Sequence, residues 1–377
     1  MTQNIVTPSI VAKEALVQLS NNLVAAPLVH REYSSEFVSG VGATINVRKP
    51  AVFDAKDFTS EIENQDIIEG TVPVTLDKHK DVSFSITSKE AALSITDFSE
   101  RIIQPAVSAL AQAIDADVCA AARDIPYVSG TITNASNAIA DITGARKVLA
   151  ENKVPLSQRR MLINPTVENS YLQLATFHEA QKVGDAGTAL REASLGRKFG
   201  FDIYMNQNVL DHTKGTLDPG SGQTIQVNAN IAAGGTSAVF KTSDGTLTGT
   251  LKKGDLITFA GSTVAHVITE DATAADNLIT AKFYPAVAAQ TNANTVVTLT
   301  ANHSKNVAFH RNAFALVSAP LAMPIDGSKG MVVNWNGLAI RVVYGYNMTT
   351  KKDMVSLDVL YGVKTLFPEL ACLVGRV

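Results

Sequence analysis

Residues 105–123, PAVSALAQAIDADVCAAAR, form the most regular helical pattern in the chain. Apolar side chains recur along one predicted helix face, at Ala106, Ala109, Leu110, Ala113, Ile114 and Val118. At about 1.5 Å per residue this helix is about 28 Å long, which is enough to serve as the spine of a domain. A second helical pattern covers residues 97–103, and Pro105 is expected to break or kink the helix between the two.

The residues before this spine predict first a helix and then strands. Thr7 and Pro8 form a helix start signal, with Thr7 as the N-cap and Pro8 as the first helical residue. We expect residues 1–40 to be an arm that packs on another surface, although a helix docked on its own domain is the alternative. Between residues 44 and 87 the apolar period becomes two, which predicts strands with one buried face, at Ile45, Val47, Val72, Val74, Leu76, Val82, Phe84 and Ile86.

An acidic tract lies between the first two of these strands, in a stretch with little apolar material of its own. Its members are Glu61, Glu63, Asp66 and Glu69. We expect a long projecting hairpin within residues 41–90. An isolated two-stranded ribbon buries too little surface to be stable, so this hairpin is expected to lie on a neighbouring chain. A solvated surface loop is the alternative.

After the spine segment at residues 91–130, residues 131–210 alternate between helix and strand patterns. We expect helices at 138–152, from Asn164-Pro165 onward and near 188–195, and strands at 160–163 and 202–209. The composition changes at about residue 211. No arginine occurs between Arg197 and Arg311, threonine is dense, and helical periodicity is absent.

Six short strands separated by turn residues are predicted in residues 211–305, at 224–227, 238–241, 255–259, 264–269, 278–284 and 295–300. They suggest a small β-barrel. Strand patterns resume in residues 306–377, at 308–317, 330–333, 338–346 and 353–363, and are expected to complete the earlier sheets. The barrel is therefore read as an insertion, because the surrounding type of sequence continues after it. Tandem domains are the less favoured arrangement.

Bulk composition excludes several classes of function. The net charge of −3 provides no basic surface for tight nucleic-acid binding, so any contact with DNA is expected to be weak. Cys119 and Cys372 form no CxxC pair and are expected to be buried free thiols. The chain has no export signal and no run of about 18 apolar residues, so neither secretion nor a membrane span is expected.

No catalytic, cofactor-binding or metal-binding residue is predicted. The motifs GxSxG, HExxH, GxxxxGK[ST], GxGxxG and paired CxxC are all absent, which argues against an α/β hydrolase-like enzyme. The seven histidines are scattered, without a zinc-binding spacing. Asp115, Asp117 and Asp124 are assigned to the predicted spine helix. Asp115 and Asp117 point in different directions, and all three are expected to be solvated.

The order of elements, from arm through acidic hairpin, spine helix, α/β region and β insertion to terminal strands, resembles the Hong Kong 97-type capsid fold of tailed phages. Local stretches sharpen this resemblance to the coat-protein family of Salmonella-type short-tailed phages, which carries an inserted β-barrel. They are EAL at 14–16, LV at 23–24, DFSER at 97–101, FHRNAFAL at 309–316, DVLYG at 358–362 and PELA at 368–371.

The resemblance implies an α+β chain with six parts. They are an N-terminal arm (1–40), an extended loop (41–90), a peripheral domain with the spine helix (91–130), an axial domain (131–210), an inserted barrel (211–305) and return strands (306–377). It implies a major capsid protein without enzymatic activity. Such a protein forms pentamers and hexamers, assembles with a scaffolding protein in the host cytoplasm, and resides in the virion beside a portal protein and packaged double-stranded DNA.

For contacts between subunits, we expect the acidic tract to pair with basic residues of a neighbouring chain, either Arg159 and Arg160 or Arg197 and Lys198. Some proteins of this fold crosslink through a loop lysine and an asparagine. Lys56 is available for this, but no matched motif accompanies it, so no crosslink is expected. The alternative function is a secreted or cell-surface β-rich binding module, which the missing export signal disfavours.

Overall fold

The computed structural model describes residues 8–32, 44–48, 66, 70–87, 102–130, 138–174, 177, 193, 195–324, 329–335, 338–350 and 352–374. The chain divides into two compact units, each made from several segments. The first unit contains Met1–Asn22, His30–Ala113 and Ala315–Leu366, and the second contains Leu23–Val29, Ile114–Phe314 and Phe367–Val377.

The helices in these ranges are α1 (Pro8–Asn22), α2 (Gln104–Ala120), α3 (Ala138–Glu151) and α4 (Pro165–Leu172). The strands, in chain order, are β1 (Thr44–Arg48), β2 (Thr71–Thr75), β3 (Lys78–Thr87), β4 (Arg159–Ile163), β5 (Arg197–Lys198), β6 (Phe201–Met205), β7 (Asp211–His212), β8 (Ile225–Val227), β9 (Ser237–Thr242), β10 (Thr250–Leu251), β11 (Leu256–Phe259), β12 (Ala265–Ile268), β13 (Ala272–Thr273), β14 (Leu278–Tyr284), β15 (Val296–Leu299), β16 (His303–Ser304), β17 (Val307–His310), β18 (Phe314–Ala319), β19 (Lys329–Trp335), β20 (Leu338–Asn347), β21 (Lys352–Thr365) and β22 (Ala371–Leu373).

The first unit is a sheet covered by a helix. Its strands follow the order β18-β21-β20-β19, and β3 also pairs antiparallel with the long strand β21, from Lys78–Tyr361 to Thr87–Lys352. Helix α1 contacts β19 and β20. Its apolar residues recur at helical spacing and are buried, namely Val11, Ala12, Ala15, Leu16 and Leu19. The apolar stripe of the arm helix therefore packs on the sheet of its own unit, as the docked-helix alternative predicted.

The second unit contains a five-stranded sheet in the order β22-β17-β4-β6-β5, in which β4 and β6 are parallel. Helices α3 and α4 contribute to its core, together with Met161, Ile163 and Phe201 of the sheet. Helix α4 begins where the sequence predicts. Asn164 is its N-cap and accepts a hydrogen bond from the amide of Val167 at 2.9 Å, and Pro165 is in the first turn.

A closed barrel in the same unit has the strand order β11-β12-β14-β9-β8-β15. These are the six strands that the sequence predicts, and Phe240, Phe259 and Phe283 form the aromatic part of their core. Just outside the barrel, β7 and β16 pair so that His212 lies opposite His303. The two ends of the barrel segment therefore run side by side, as an insertion requires.

Two details concern the predicted boundaries of elements. Helix α2 begins at Gln104, directly after a π-helical stretch at residues 102–103, so the helix type changes next to Pro105. Pro105 lies in the first turn of α2, where its missing N–H costs nothing, and residues 97–101 lie outside the described residues. The single strand predicted at 308–317 is two strands, because Arg311–Ala313 form a 3₁₀ turn between β17 and β18. The helix predicted near 188–195 lies largely outside the described residues. The expected α+β class with a small barrel is confirmed.

Candidate functional site

The acidic tract has a defined base in the structure. Strands β1 and β2 pair from Thr44–Thr75 to Arg48–Thr71, so the chain leaves and re-enters this ribbon at adjacent points. Asp66 is exposed to solvent. Glu61, Glu63 and Glu69 lie outside the described residues, and the contact predicted for this tract stays a prediction.

Arg159, the first of the four predicted basic partners, is held inside its own chain. Only 3% of its surface is exposed. Its guanidinium donates to the carbonyl of Pro155 at 2.9 Å and to that of Val154 at 2.6 Å. Burial lowers the pKa of Arg159, and the nearby charge of Arg146 lowers it further. The guanidinium therefore stabilises the loop between α3 and β4 by binding two of its backbone carbonyls.

Arg160 is half-buried and also has partners within the chain. One of its terminal nitrogens donates to the carbonyls of Leu28 and Pro27, the latter at 3.4 Å. Neighbouring residues along a strand point to opposite faces of the sheet, so Arg159 and Arg160 do not form one basic surface. Burial is the largest cause of the lowered pKa of Arg160.

Arg197 and Lys198 lie in the short strand β5 at the edge of the sheet. The Arg197 side chain is 64% exposed and its Nε is 3.7 Å from the carboxylate of Asp202. Asp202 is opposite Arg160 on one side and opposite Arg197 on the other. The structure thus brings Arg160 and Arg197 into one cross-strand row, with Asp202 between them.

Asp115 is a residue that the sequence-based prediction placed wrongly. It is 2% exposed, not solvated. Its carboxylate accepts hydrogen bonds from the amides of Val24 at 2.7 Å, Ala25 at 3.1 Å and Ala26 at 3.1 Å. The Asn206 side chain donates a fourth at 3.1 Å. Burial raises the pKa of Asp115, and the four hydrogen bonds oppose that rise.

A second buried carboxylate lies at the base of the barrel, the end at which β7 and β16 pair. Asp255 is 1% exposed and lies 2.8 Å from Nε2 of His212. It also accepts hydrogen bonds from the amides of Lys252 at 2.8 Å and Gly215 at 3.1 Å. Next to it, the ammonium of Lys305 donates to the Gly254 carbonyl at 2.7 Å. The base of the barrel is therefore a polar, hydrogen-bonded structure.

Further polar contacts join the barrel to the sheet part of the same unit. Lys253 forms a 3.0 Å ion pair with Asp124, which follows α2. Tyr284 at the end of β14 donates to the carboxylate of Glu369 at 2.5 Å. Both contacts lie within the second unit, so the barrel is fastened to its surroundings at more points than its two chain connections.

The described part of the chain offers no site for a metal or a membrane span. None of its His, Cys, Asp and Glu side chains form a group of three or more that could hold a metal ion. No helix there is long and apolar enough to cross a bilayer. Cys119 and Cys372 are buried, as predicted, and neither forms a disulfide.

The chain is similar to phage proteins. The family model described as "P22 coat protein - gene protein 5" matches residues 1–282. A solved structure from Mycobacterium phage Che8 is 16% identical, with a TM-score of 0.54 over 93% of this chain and 90% of that chain. That likeness shows the fold and agrees with the predicted Hong Kong 97-type capsid fold.

Two further structures are similar at lower scores. The mature capsid of bacteriophage PhiM1 is 12% identical, with a TM-score of 0.46 over 90% of this chain and 83% of that chain. The capsid of Cyanophage P-SCSP1u is 13% identical, with a TM-score of 0.45 over 88% of this chain and 83% of that chain. No curated protein sequence matches the chain. Since the family model covers well over half of the residues, the chain belongs to the P22 coat protein family and is a major capsid protein of a tailed phage.

Proposed function

We propose that this chain assembles with a scaffolding protein in the host cytoplasm into an icosahedral shell of pentamers and hexamers, which meets a portal protein and encloses double-stranded DNA. The observation that carries the proposal is membership of the P22 coat protein family. The role is structural, without catalysis, and the protein resides in the virion. The net charge of −3 favours weak, non-specific contact with the packaged DNA.

Exposed apolar side chains supply one surface for contacts between copies. Tyr346, Met348 and Met354 are 53%, 83% and 45% exposed at the end of the β20–β21 hairpin. Tyrosine and methionine are enriched where subunits meet, because they bury large area and adapt to their neighbours. A closed shell repeats such contacts many times, so each can be modest and the shell still be stable.

The acidic tract supplies a second proposed contact, with Glu61, Glu63, Asp66 and Glu69 facing basic residues of a neighbour. Arg197 and Lys198 are the favoured partners, because Arg197 is largely exposed at a sheet edge. Arg159 and Arg160 already donate to carbonyls of their own chain, which leaves them less able to reach another. Pairing through oppositely charged groups sets the register between subunits.

Charge reversal tests this contact. Changing Glu61, Glu63 and Asp66 to lysine is expected to reduce the yield of closed shells while the unassembled chain keeps its circular dichroism spectrum. Adding Arg197→Glu and Lys198→Glu to the same chain is expected to restore part of the yield. Normal shells from the lysine variant would exclude the contact.

Assembly itself is tested by expressing the chain alone and with a candidate scaffolding protein, followed by sedimentation and negative-stain microscopy. Closed shells or tubular polymers are the expected products, with more uniform shells when the scaffold is present. A small soluble species under both conditions would contradict the proposal and favour a β-rich binding module.

A further inference from the structure

We propose that Asp115 and Arg160 hold residues 23–29 as a fixed attachment point for the chain that follows the arm helix α1, and that shell assembly requires this attachment to stay closed. The assembly part rests on the function proposed above. The attachment part rests only on contacts within the second unit, to which Leu23–Val29, Asp115 and Arg160 all belong.

The first end of the attachment is a carboxylate that takes the place of a helix cap. Residues Ala26–Leu28 form a 3₁₀ turn whose own N-cap residue, Ala25, offers no side-chain acceptor. Asp115 in α2 supplies the missing acceptor to three successive amides, from Val24 to Ala26. Hydrogen bonds from amides to an ionised carboxylate are about twice as strong as neutral ones.

The second end is a guanidinium that donates hydrogen bonds to the carbonyls of the same turn. Arg160 in β4 donates to Pro27 and Leu28, at the opposite end from Asp115. A positive group at the carbonyl end and a negative group at the amide end both match the dipole of the turn. The backbone of the segment is therefore bound at both ends by opposite charges.

Packing between the two ends completes the attachment. Ala25 and Ala26 are fully buried, Val29 is 1% exposed, and Leu23 and Leu28 are each 6% exposed. Asn206 keeps the Asp115 carboxylate in place, because its side chain donates to that carboxylate while its own backbone amide is bonded to Ile163 at 3.0 Å. Because the segment is buried and bonded to two charged side chains of its own chain, we expect it to be ordered in the free subunit, without a neighbouring subunit to hold it.

The position of the segment in the chain gives the attachment its consequence. The residues on both sides of it, Met1–Asn22 and His30–Ala113, belong to the first unit, whereas the segment itself belongs to the second. Opening it would lengthen the free chain next to α1 by up to seven residues. Because α1 itself is docked on the sheet of the first unit, opening the segment would leave a slack connection on the C-terminal side of α1. A subunit with a slack connection offers its neighbours no single fixed surface, so shells would form poorly or irregularly.

The test compares hydrogen exchange and shell yield in full-length variants. Asp115→Asn keeps the shape of the side chain but turns one acceptor into a donor that faces amide donors. It is expected to speed exchange of the amides of residues 24–26 about 10-fold to 100-fold, the effect of losing one hydrogen bond to a charged acceptor. Asp117→Asn, which also removes one carboxylate from the same helix, is the matched control and is expected to leave exchange at residues 24–26 unchanged, because the acceptor of those amides is Asp115.

Arg160 provides a second pair of variants should Asp115→Asn fold poorly. Arg160→Met removes the donors, while Arg160→Lys keeps a positive donor, so exchange in the segment should rise more for methionine than for lysine. Shell yield should fall in the same order. Equal exchange in both variants would overturn the role of the charge.

The outcomes separate the attachment from the assembly function. Unchanged exchange at residues 24–26 in Asp115→Asn, or equal acceleration throughout the barrel, would overturn the attachment. Faster exchange with a normal shell yield would overturn its role in assembly. Failure of the unmodified chain to form shells would contradict the proposed function instead, and exchange alone would then decide whether the attachment exists.

Discussion

Asp255→Ala is expected to destabilise the barrel strongly, because it removes the acceptor of a buried hydrogen-bond network. The carboxylate is buried just before β11 and accepts hydrogen bonds from His212, Lys252 and Gly215. Alanine would leave these three donors without their acceptor. These hydrogen bonds connect β7, which contains His212, with the turn before β11, which contains Lys252. Their loss therefore destabilises the region where the barrel joins the sheet part of its unit.

The magnitude follows from the number and kind of donors. A hydrogen bond to a charged group contributes about 1.5–3 kcal/mol, and removing one member of a buried charged network costs about 3–5 kcal/mol. Water entering the space left by the carboxylate satisfies part of the loss, so the effects of the three donors do not add fully. We expect the free energy of opening the barrel to fall by about 3–5 kcal/mol.

Hydrogen exchange of barrel peptides in the full-length chain measures this free energy directly, because the most protected amides exchange only when the barrel opens. Asp271→Ala is the matched control. That carboxylate also accepts a backbone hydrogen bond, from Lys253 at 2.7 Å, but it is exposed, so its loss should cost below about 1 kcal/mol. If the two variants differed by less than about 1 kcal/mol, the argument from burial would be refuted.

Two further substitutions probe a buried imidazole and a close backbone approach. Burial lowers the pKa of His266, although its 2.7 Å hydrogen bond to the Pro285 carbonyl opposes this shift. The contribution of His266 to the free energy of unfolding is therefore complete above the unfolded-state pKa of 6.5 and is lost as the pH falls below it. Relative to His266→Phe, the loss is up to about 1.4 kcal/mol per pH unit. Urea unfolding between about pH 5 and pH 8 measures this, and parallel curves for the two proteins would contradict it. In Gly362→Ala the new Cβ would lie 1.9 Å from the carbonyl oxygen of Thr75. Strands β2 and β21 must therefore separate, and the free energy of unfolding should fall by about 3 kcal/mol or more. A melting temperature within about 2 °C of that of the unmodified chain would be inconsistent with this clash.

The barrel strands were predictable because each has a strong local pattern. Residues 278–284, for example, alternate between exposed and buried side chains along β14, and turn residues separate the strands. A similar alternation occurs along β9, whereas β12 is buried at three successive residues, one of which is His266. Strand order, by contrast, depends on pairings distant in sequence, such as β15 with β8, which no local pattern encodes.

Asp115 was missed because the predicted helix face was displaced. The sequence reading placed Ala109 and Ala113 on the buried face, but neither residue is fully buried in α2. The buried stripe includes Ala111, Val118 and Cys119. Asp115 comes four residues after Ala111 and three residues before Val118, so it lies on the same stripe. Helical spacing from valine and cysteine would have placed the carboxylate in the core, where a buried charge requires a partner.

Arg159 and Arg160 show a second limit of prediction from sequence. Their contact with a neighbouring subunit stays a prediction, but their hydrogen bonds to carbonyls of their own chain were not predicted. Those carbonyls belong to a loop and to a 3₁₀ turn, whose backbone groups lack regular partners. Because Pro27 and Leu28 are far from Arg160 in sequence, the need for a donor there could not be predicted.

The pairing of His212 with His303 has an evolutionary consequence. Opposed residues of antiparallel strands are about 5 Å apart, so the host sheet receives two chain ends at nearly one point, whatever lies between them. A single recombination event at this point could therefore add, delete or exchange an entire module without altering the strand order of the sheet. An engineered cargo domain with adjacent termini therefore has a natural place of insertion here.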